Sequence, residues 1–111
     1  MTEKFLTSSA VYKSYIGDNE NGMAVYNEYI LTSILVREKT IASAEKVVTH
    51  EYSLYFFKDK SSCTLNGEKK ELPPLGENDI CTVNGKQLRP STKTTYDNGT
   101  HKTAHTKMIL K

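Results

Sequence analysis

Apolar and polar residues alternate along much of this chain with the period of two that is typical of extended strands. Residues 47–57, VVTHEYSLYFF, follow this pattern most closely. One face of such a strand carries Val48, His50, Tyr52, Leu54 and Phe56, and the other carries Val47, Thr49, Glu51, Ser53 and Tyr55. The pattern predicts a strand with one buried face and one mostly solvated face, and it places His50 in the interior as a hydrogen-bonded residue.

Four Asn-Gly pairs separate the strand-like segments. They are Asn21-Gly22, Asn66-Gly67, Asn84-Gly85 and Asn98-Gly99. Both central residues of a type I′ turn have positive φ, which glycine adopts freely and asparagine tolerates better than most residues. Each pair therefore predicts a β-hairpin with a two-residue turn, and four such turns in 111 residues argue against a helical bundle.

The segments on either side of the first Asn-Gly pair, KFLTSSAVYKSYI and MAVYNEYILTSILV, are rich in β-branched and aromatic residues, as strands are. Residues 28–46 are ambiguous, because their apolar side chains cover every direction. Thr40 could cap a short helix. We expect a strand here, followed by one helical turn within Thr40–Lys46; a longer helix within Glu28–Lys46 is the alternative.

These elements predict a mainly β protein with a single domain over residues 1–111. We expect a small antiparallel barrel or sandwich of about six to eight strands, with at most one short helix. The stretch from Pro73 to Asp79 contains two prolines and a glycine and predicts a loop. The sequence has no other linker-like or low-complexity segment.

The composition is that of a globular protein. Hydrophobic residues make up 37% of the chain and charged residues 25%, which is too mixed for a disordered chain. The longest apolar stretch, MAVYNEYILTSILV, is interrupted by polar residues and is shorter than the roughly 20 residues of a spanning helix. The first residues lack the basic start and apolar run of a secretory signal. The sequence therefore predicts an intracellular protein without a membrane partner; the alternative is that a signal has been removed ahead of this sequence.

A similar sequence motif, or phrase, occurs twice, as CTLNGEKKELPP from Cys63 and as CTVNGKQLRPS from Cys81. If each phrase is a hairpin, Cys63 shares a face with Leu65, and Cys81 shares a face with Val83. Such cysteines behave as small hydrophobes, so we expect both to be buried, reduced and inert. In a simple meander the strand Glu68–Leu72 would separate them by two strand spacings, which is too far for a disulfide.

Two thiols and two imidazoles, from Cys63, Cys81, His101 and His105, form a set that zinc accepts. Their spacing argues against a site, because the thiols of zinc ribbons and fingers lie close together in sequence. On one strand, His101 and His105 would lie about 13 Å apart, at ~3.3 Å of rise per residue. We therefore predict no metal and no other cofactor.

Charge is distributed unevenly, although the net charge is only +2. Residues 1–85 contain 9 basic and 12 acidic residues, a balance of −3. Residues 86–111 contain 6 basic residues and one acidic residue, a balance of +5. The basic C-terminal quarter predicts an acidic partner; the alternative is a strand pair whose charges only oppose aggregation.

The C-terminal hairpin is the predicted binding surface. A two-residue turn at Asn98-Gly99 would pair Tyr96 with His101 and would put Thr92 opposite His105. One face would then be polar and weakly cationic, while the other would carry lysines followed by Met108 and Leu110 as core anchors. The partner-binding residues predicted from this hairpin are Lys93, Tyr96, His101, Lys102, Thr103, His105 and Lys107.

No nucleophile elbow, phosphate-binding loop or zinc-protease motif occurs in the sequence. We therefore predict that the protein is not an enzyme and has no catalytic residues; the enzyme hypothesis would have to use Cys81 or His50. The expected function is a non-enzymatic protein-binding module, inhibitor-like or an assembly subunit. Its basic hairpin would meet an acidic surface or an edge strand of a partner protein.

The alternative function is single-stranded nucleic-acid binding by a small β-barrel. Lys93, Lys102 and Lys107 would contact phosphates, and Tyr96 or Tyr55 would stack on bases. Two features favour a protein partner: the pI is about 8.5, below the range above ~9 that is common in nucleic-acid domains, and basic residues do not alternate with aromatic residues along the chain. A small ligand inside a barrel is a third possibility.

Overall fold

The computed structural model describes residues 8–42, 48–96 and 104–111. Within these ranges the chain forms nine strands: β1 (Ser8–Asp18), β2 (Ala24–Ala42), β3 (Val48–Phe57), β4 (Ser62–Leu65), β5 (Glu68–Lys69), β6 (Ile80–Val83), β7 (Lys86–Leu88), β8 (Pro90–Tyr96) and β9 (His105–Leu110). No helix occurs in the described ranges, and so none there could cross a membrane. The predicted mainly β fold is confirmed.

All of these strands belong to one antiparallel sheet, which curls into a half-barrel. Seven of them follow the order β7-β6-β1-β2-β3-β9-β8, while β4 pairs with β2 and with β5. Only Arg89 separates β7 from β8, and its backbone N–H and C=O both bond to the backbone of Lys111. The run of residues 86–96 therefore pairs with β6 at its start and with β9 along the rest, which brings the two ends of the order together.

The long strand β2 connects the two halves of the sheet. Its first part pairs with β1 on one side and with β4 on the other, and from Leu35 onward it pairs with β3. Ser33 lies at the change of partner with φ of 55°, where a strand residue would have negative φ. The predicted helical turn over Thr40–Lys46 is wrong for Thr40 to Ala42, because pairing with β3 continues the strand; residues 43–46 lie outside the described ranges.

Two of the four Asn-Gly turns are confirmed as type I′. Both residues have positive φ at Asn66-Gly67 (54° and 83°) and at Asn84-Gly85 (51° and 79°). The turn at Asn21-Gly22 differs, since only Gly22 has positive φ there. Asn19 closes this longer turn, because its side-chain oxygen accepts bonds from the backbone N–H groups of residues 21 and 23. Asn98-Gly99 lies outside the described residues.

The two hairpins of similar sequence lie on opposite sides of the β1–β2 pair. In the first, Cys63 pairs with Leu31 of β2; in the second, Cys81 pairs with Tyr12 of β1. The expected meander, with Glu68–Leu72 between the cysteines, is therefore wrong: β1 and β2 separate them. Both cysteines are free and almost wholly buried, as predicted.

The core lies on the inner face of the curled sheet. Tyr52 and Leu54 of β3 are buried there and Phe56 packs against them, so the predicted dry face of this strand is confirmed for these three residues. The other members of the core come from β1, β2, β4, β6 and β9, and they are Ala10, Tyr12, Leu31, Ile34, Cys63, Cys81, Val83, Met108 and Leu110.

The loop before β6 is held against β1 by a buried carboxylate. Asp79 is 2% exposed, and its two oxygens accept bonds from the Tyr12 hydroxyl (2.6 Å), the Tyr15 backbone N–H (2.8 Å) and the Gly76 backbone N–H (2.8 Å). A Cβ on Gly76 would approach this carboxylate to 3.0 Å, so the close contact favours glycine. The loop thereby has a defined position above the core.

Candidate functional site

The C-terminal hairpin pairs in a register different from the predicted one. Tyr96 pairs with His105, whereas a two-residue turn would have paired it with His101. The reason is that β9 also pairs with β3 along its whole length, and its Met108 and Leu110 fill the core. Packing against β3 therefore sets the register of β9.

A shift of four residues is even, and so it leaves each side chain on its predicted face of the sheet. Tyr96 and His105 form one cross-strand pair, and Lys107 follows two residues later on the same, outer face. Lys93 pairs with the buried Met108 and so lies on the inner face. Of the predicted binding residues, three share the outer face and Lys93 lies on the other side.

Four rings from three strands meet on the outer face. The His105 ring stacks on Tyr96 at a centroid distance of 4.9 Å and an interplanar angle of 27°. It also lies 5.6 Å from the Phe57 ring and 6.1 Å from the Tyr55 ring. Phe57 is only 8% exposed although its strand position faces outward, because these rings pack together. The cluster is therefore a preformed apolar surface with polar edges.

Two cations border this cluster. The guanidinium carbon of Arg37 lies 5.8 Å from the Tyr55 ring centroid, and the Nζ atom of Lys107 lies 5.7 Å from it. Both distances are within the range of cation–π attraction, about 6 Å. We call this surface the aromatic–basic face and define it by Arg37, Tyr55, Phe57, Tyr96, His105 and Lys107.

Sequence reasoning found only part of this face. Tyr55 was expected to be near the binding surface only in the nucleic-acid alternative, while Arg37 and Phe57 were not expected there. The alternation of β3 does put Tyr55 and Phe57 on one face, which was the available signal. Their contact with β9 depends on the β3–β9 pairing, which joins segments about fifty residues apart. The predicted binding residues His101, Lys102 and Thr103 lie outside the described residues.

A cleft of about 470 Å³ opens on the inner side, between the loop after β5 and the ends of β8 and β9. Phe56, Cys63 and Leu72 contribute apolar surface, and Ser61, Thr95 and Thr106 also line the cleft. Four lysines line the cleft, namely Lys58, Lys69, Lys70 and Lys93. Glu71 is the single acidic residue among the described lining residues. The cleft is therefore apolar inside and cationic around that interior.

Lys93 is the half-buried cation of this cleft. Its Nζ donates a 2.8 Å hydrogen bond to the backbone oxygen of Pro73, which is itself buried. Desolvation lowers the pKa of Lys93, and the nearby Cys63 thiol partly opposes this effect. Lys93 therefore does not act as an exposed charge on the outer face.

The thiols and His50 do not have the surroundings of catalytic groups. Burial raises the pKa of Cys81 to about 12, and burial also raises the pKa of Cys63, so both are protonated near pH 7. The expected interior position of His50 is wrong: its side chain is 51% exposed, and its Nδ1 lies 2.7 Å from a carboxylate oxygen of Glu38. This part of β3 extends past the core, so its inward-facing position meets solvent.

Metal-ligating side chains do not cluster in the described part of the chain: no group of three or more histidine, cysteine or acidic residues is near enough to hold an ion there. Comparisons of the chain with protein-family models, with curated proteins and with solved structures found no match.

Proposed function

We propose that the protein is a non-enzymatic binding module whose aromatic–basic face occupies an acidic surface of a partner protein, as an inhibitor or as an assembly subunit. The observation that carries this proposal is the position of Tyr55, with Arg37 and Lys107 both near its ring and the Tyr96–His105 stack beside it. Tyrosine and arginine are the residue types enriched at energetic hot spots of protein interfaces.

Charge supports an acidic partner. Arg37 is exposed and Lys107 is half-buried, and neither forms an ion pair with a carboxylate of the described residues. Complementary charge on a partner would steer association and set its orientation, while the aromatic rings would supply most of the buried apolar area. Residues 86–111, which include part of this face, carry an excess of basic residues.

Two further observations agree with a binding role inside the cell. The cysteines are protonated and buried, and the only histidine outside the hairpin is paired with Glu38 at the surface, so neither supports nucleophilic catalysis. The free thiols fit a reducing compartment.

The test is site-specific photocrosslinking. A benzoylphenylalanine replaces Tyr96 in one variant and Asn21, in the distant β1–β2 turn, in a control variant. We expect the probe at position 96 to crosslink to a partner that the probe at position 21 does not reach. The partner's affinity for the double charge reversal Arg37→Glu/Lys107→Glu should then fall by at least about 100-fold, since like charges would meet. The matched control Lys13→Glu reverses the charge of a lysine on β1, which contributes no residue to this face, and should weaken binding less than threefold.

Equal crosslinking from both positions, or equal affinity of the double variant and the unmodified protein, would exclude the aromatic–basic face as the interface.

The second candidate function is single-stranded nucleic-acid binding by the same face. Basic residues do not alternate with aromatic residues along the chain, but in three dimensions Arg37 and Lys107 lie beside Tyr55. A base could stack on the tyrosine ring while the neighbouring cations contact the phosphates of the same strand.

Fluorescence anisotropy of a labelled single-stranded oligonucleotide separates the two functions. Nucleic-acid binding predicts affinity at about 50 mM salt that falls steeply by about 200 mM, because phosphate contacts release counterions. Tyr96→Ala should then weaken it as much as Lys107→Ala does. The absence of an anisotropy change at about 50 mM salt removes this candidate.

A further inference from the structure

The inner cleft has the properties of a ligand site on the other side of the sheet from Arg37, Tyr55 and Lys107, although Tyr96 and His105 of the aromatic–basic face also contribute to its lining. Its volume of about 470 Å³ falls within the roughly 300–1,000 Å³ that is usual for small-molecule pockets. Its wall combines apolar side chains with a few hydroxyl and amino groups, which is also the usual composition of such pockets.

We propose that this cleft binds a small amphipathic anion, a carboxylate attached to an apolar chain, and that Lys93 is the residue that binds the carboxylate. The proposal goes beyond partner binding, and it needs neither Arg37 nor Lys107.

Lys93 is a half-buried cation with few partners among the described residues. An ammonium group has three N–H donors, and the described residues give this one a single acceptor, the Pro73 carbonyl. No carboxylate of the described residues forms an ion pair with it. A half-buried cation without a counter-ion pays a desolvation cost that an anion beside it would offset. The lowered pKa of Lys93 reflects the same desolvation.

The apolar wall of the cleft would contact the other end of the ligand. Phe56 and Leu72 both contribute to the core-facing wall of the cleft, and the Cys63 side chain, protonated and nearly apolar, lies with them. These groups offer no charge and little hydrogen bonding to a polar ligand. An apolar chain would fill this part of the cleft and displace water from it.

The arrangement of the lysines favours a small ligand over an acidic peptide. A peptide with several carboxylates would need cations spaced along an open surface, with its backbone polar groups satisfied. The cleft has one inner cation above an apolar wall, and Lys58, Lys69 and Lys70 are exposed around it. These exposed lysines would attract an anion toward the cleft without specifying its structure.

Isothermal titration with octanoate tests the proposal, and octanol, which has the same chain without the charge, is the matched ligand control. We expect octanoate to bind one site per chain, and octanol to bind at least about tenfold more weakly, because the charge-assisted bond to Lys93 is absent. Amide NMR shifts should locate the octanoate effect at Leu72, Thr95 and Thr106 rather than at the β1–β2 turn.

The matched variants are Lys93→Met, which keeps the apolar stem but removes the charge, and Lys60→Met, which changes an exposed lysine that does not line the cleft. We expect Lys93→Met to weaken octanoate binding by at least about tenfold while leaving octanol binding within twofold, and Lys60→Met to change neither. The second set of measurements, on octanol, shows that the variant cleft is still formed.

Three results would each overturn the proposal: no octanoate binding at millimolar concentration, equal octanoate affinity in Lys93→Met, or displacement of octanoate by a hexaglutamate peptide. The last result would assign the cleft to an acidic peptide instead. Because the Arg37→Glu/Lys107→Glu variant leaves the cleft intact, octanoate binding that survives in it separates this site from the proposed protein interface.

Discussion

Asp79 shows at the scale of a single residue how a polar side chain can hold a loop in place. Its carboxylate is buried beneath the loop, but three donors from β1 and from the loop itself satisfy it. Burial and the bond to Asp79 raise the pKa of Tyr12, which therefore stays a hydrogen-bond donor over the whole working range of pH. A buried charge without these donors would destabilise the fold.

Removing one of these donors should therefore lower stability. We expect Tyr12→Phe to reduce the free energy of unfolding by about 1–3 kcal/mol, the usual effect of losing a buried bond to a charged group. Urea unfolding followed by circular dichroism measures this change. The control is Tyr15→Phe, whose hydroxyl bonds to Asp18 at the surface and whose loss should cost less than about 0.5 kcal/mol. Equal effects of the two variants would contradict a special role for the buried bond.

The buried thiols predict how stability depends on alkaline pH. The pKa of Cys81 is about 12 in the folded protein, against an ordinary value of about 8.5 in an unfolded chain. Between these values the unfolded state has lost a proton that the folded state keeps, so the free energy of unfolding falls as pH rises. Below about pH 8 the thiol has no such effect.

We expect this fall to be shallower in Cys81→Ala than in the unmodified protein. Urea unfolding at several pH values between about 7 and 10.5 gives both curves, and only the difference in their slopes is used, because Cys63 and Tyr12 contribute in the same direction in both proteins. Parallel curves would show that Cys81 titrates normally in the folded state.

At the scale of elements, the two type I′ turns follow from local chemistry alone. Asn84 and Gly85 both adopt positive φ, and nothing lies within 4 Å of the position that a Cβ on Gly85 would occupy. A substitution there therefore tests backbone strain without a steric clash. Most glycine replacements combine backbone strain with a steric clash, whereas this one introduces strain alone.

We expect Gly85→Ala to lower the free energy of unfolding by about 1–2 kcal/mol, the cost of placing an L-residue in the left-handed region. The control Asn84→Gly replaces a residue that already has positive φ and should change stability by less than about 0.5 kcal/mol. Thermal or urea unfolding of both variants checks this. A neutral Gly85→Ala would mean that the turn changes type without cost.

The element that sequence reasoning placed wrongly was the C-terminal hairpin. A two-residue turn at Asn98-Gly99 would pair Tyr96 with His101, yet Tyr96 pairs with His105. Two influences on the register of β9 differ: the turn preference of Asn98-Gly99 and the packing of β9 in the core. The core prevails because Met108 and Leu110 are both fully buried against β3, and a turn preference is worth far less than two buried side chains.

At the scale of the whole molecule, β9 links parts of the sheet that are far apart in sequence. It lies between β3 and β8, and the residue after it, Lys111, bonds to Arg89 at the junction of β7 and β8. The half-barrel therefore depends on the last strand of the chain. Without β9, β3 and β8 would each become an edge strand with an uncovered side.

A chain that ends at Thr103 lacks β9 and should not unfold cooperatively, because β3 and β8 each lose a partner and the core loses two of its largest buried side chains. Circular dichroism during heating measures the transition. The control, removal of Lys111 alone, keeps every core residue and should retain a cooperative transition at a lower Tm. A sharp transition in the shorter chain would show that β9 is dispensable.

Much of this protein follows from local information in the chain. The alternation of Tyr52, Leu54 and Phe56 specifies the buried part of β3, although the same pattern placed His50 inside wrongly. The Asn66-Gly67 and Asn84-Gly85 pairs specify two turns, because φ preference and strand alternation depend on neighbouring residues only. The burial of Cys63 and Cys81 follows from the same alternation. The face assignments of Tyr96, His105 and Lys107 were also correct, since an even shift of register preserves them.

Packing between distant segments decides the rest. The two hairpins of similar sequence are separated by β1 and β2, and Tyr55 meets Lys107 because β3 pairs with β9. Neither arrangement is encoded by any short stretch, since each depends on which apolar faces bury most surface against each other. The aromatic–basic face and the cationic cleft are therefore properties of the assembled sheet: residues far apart in sequence become neighbours only when the core forms.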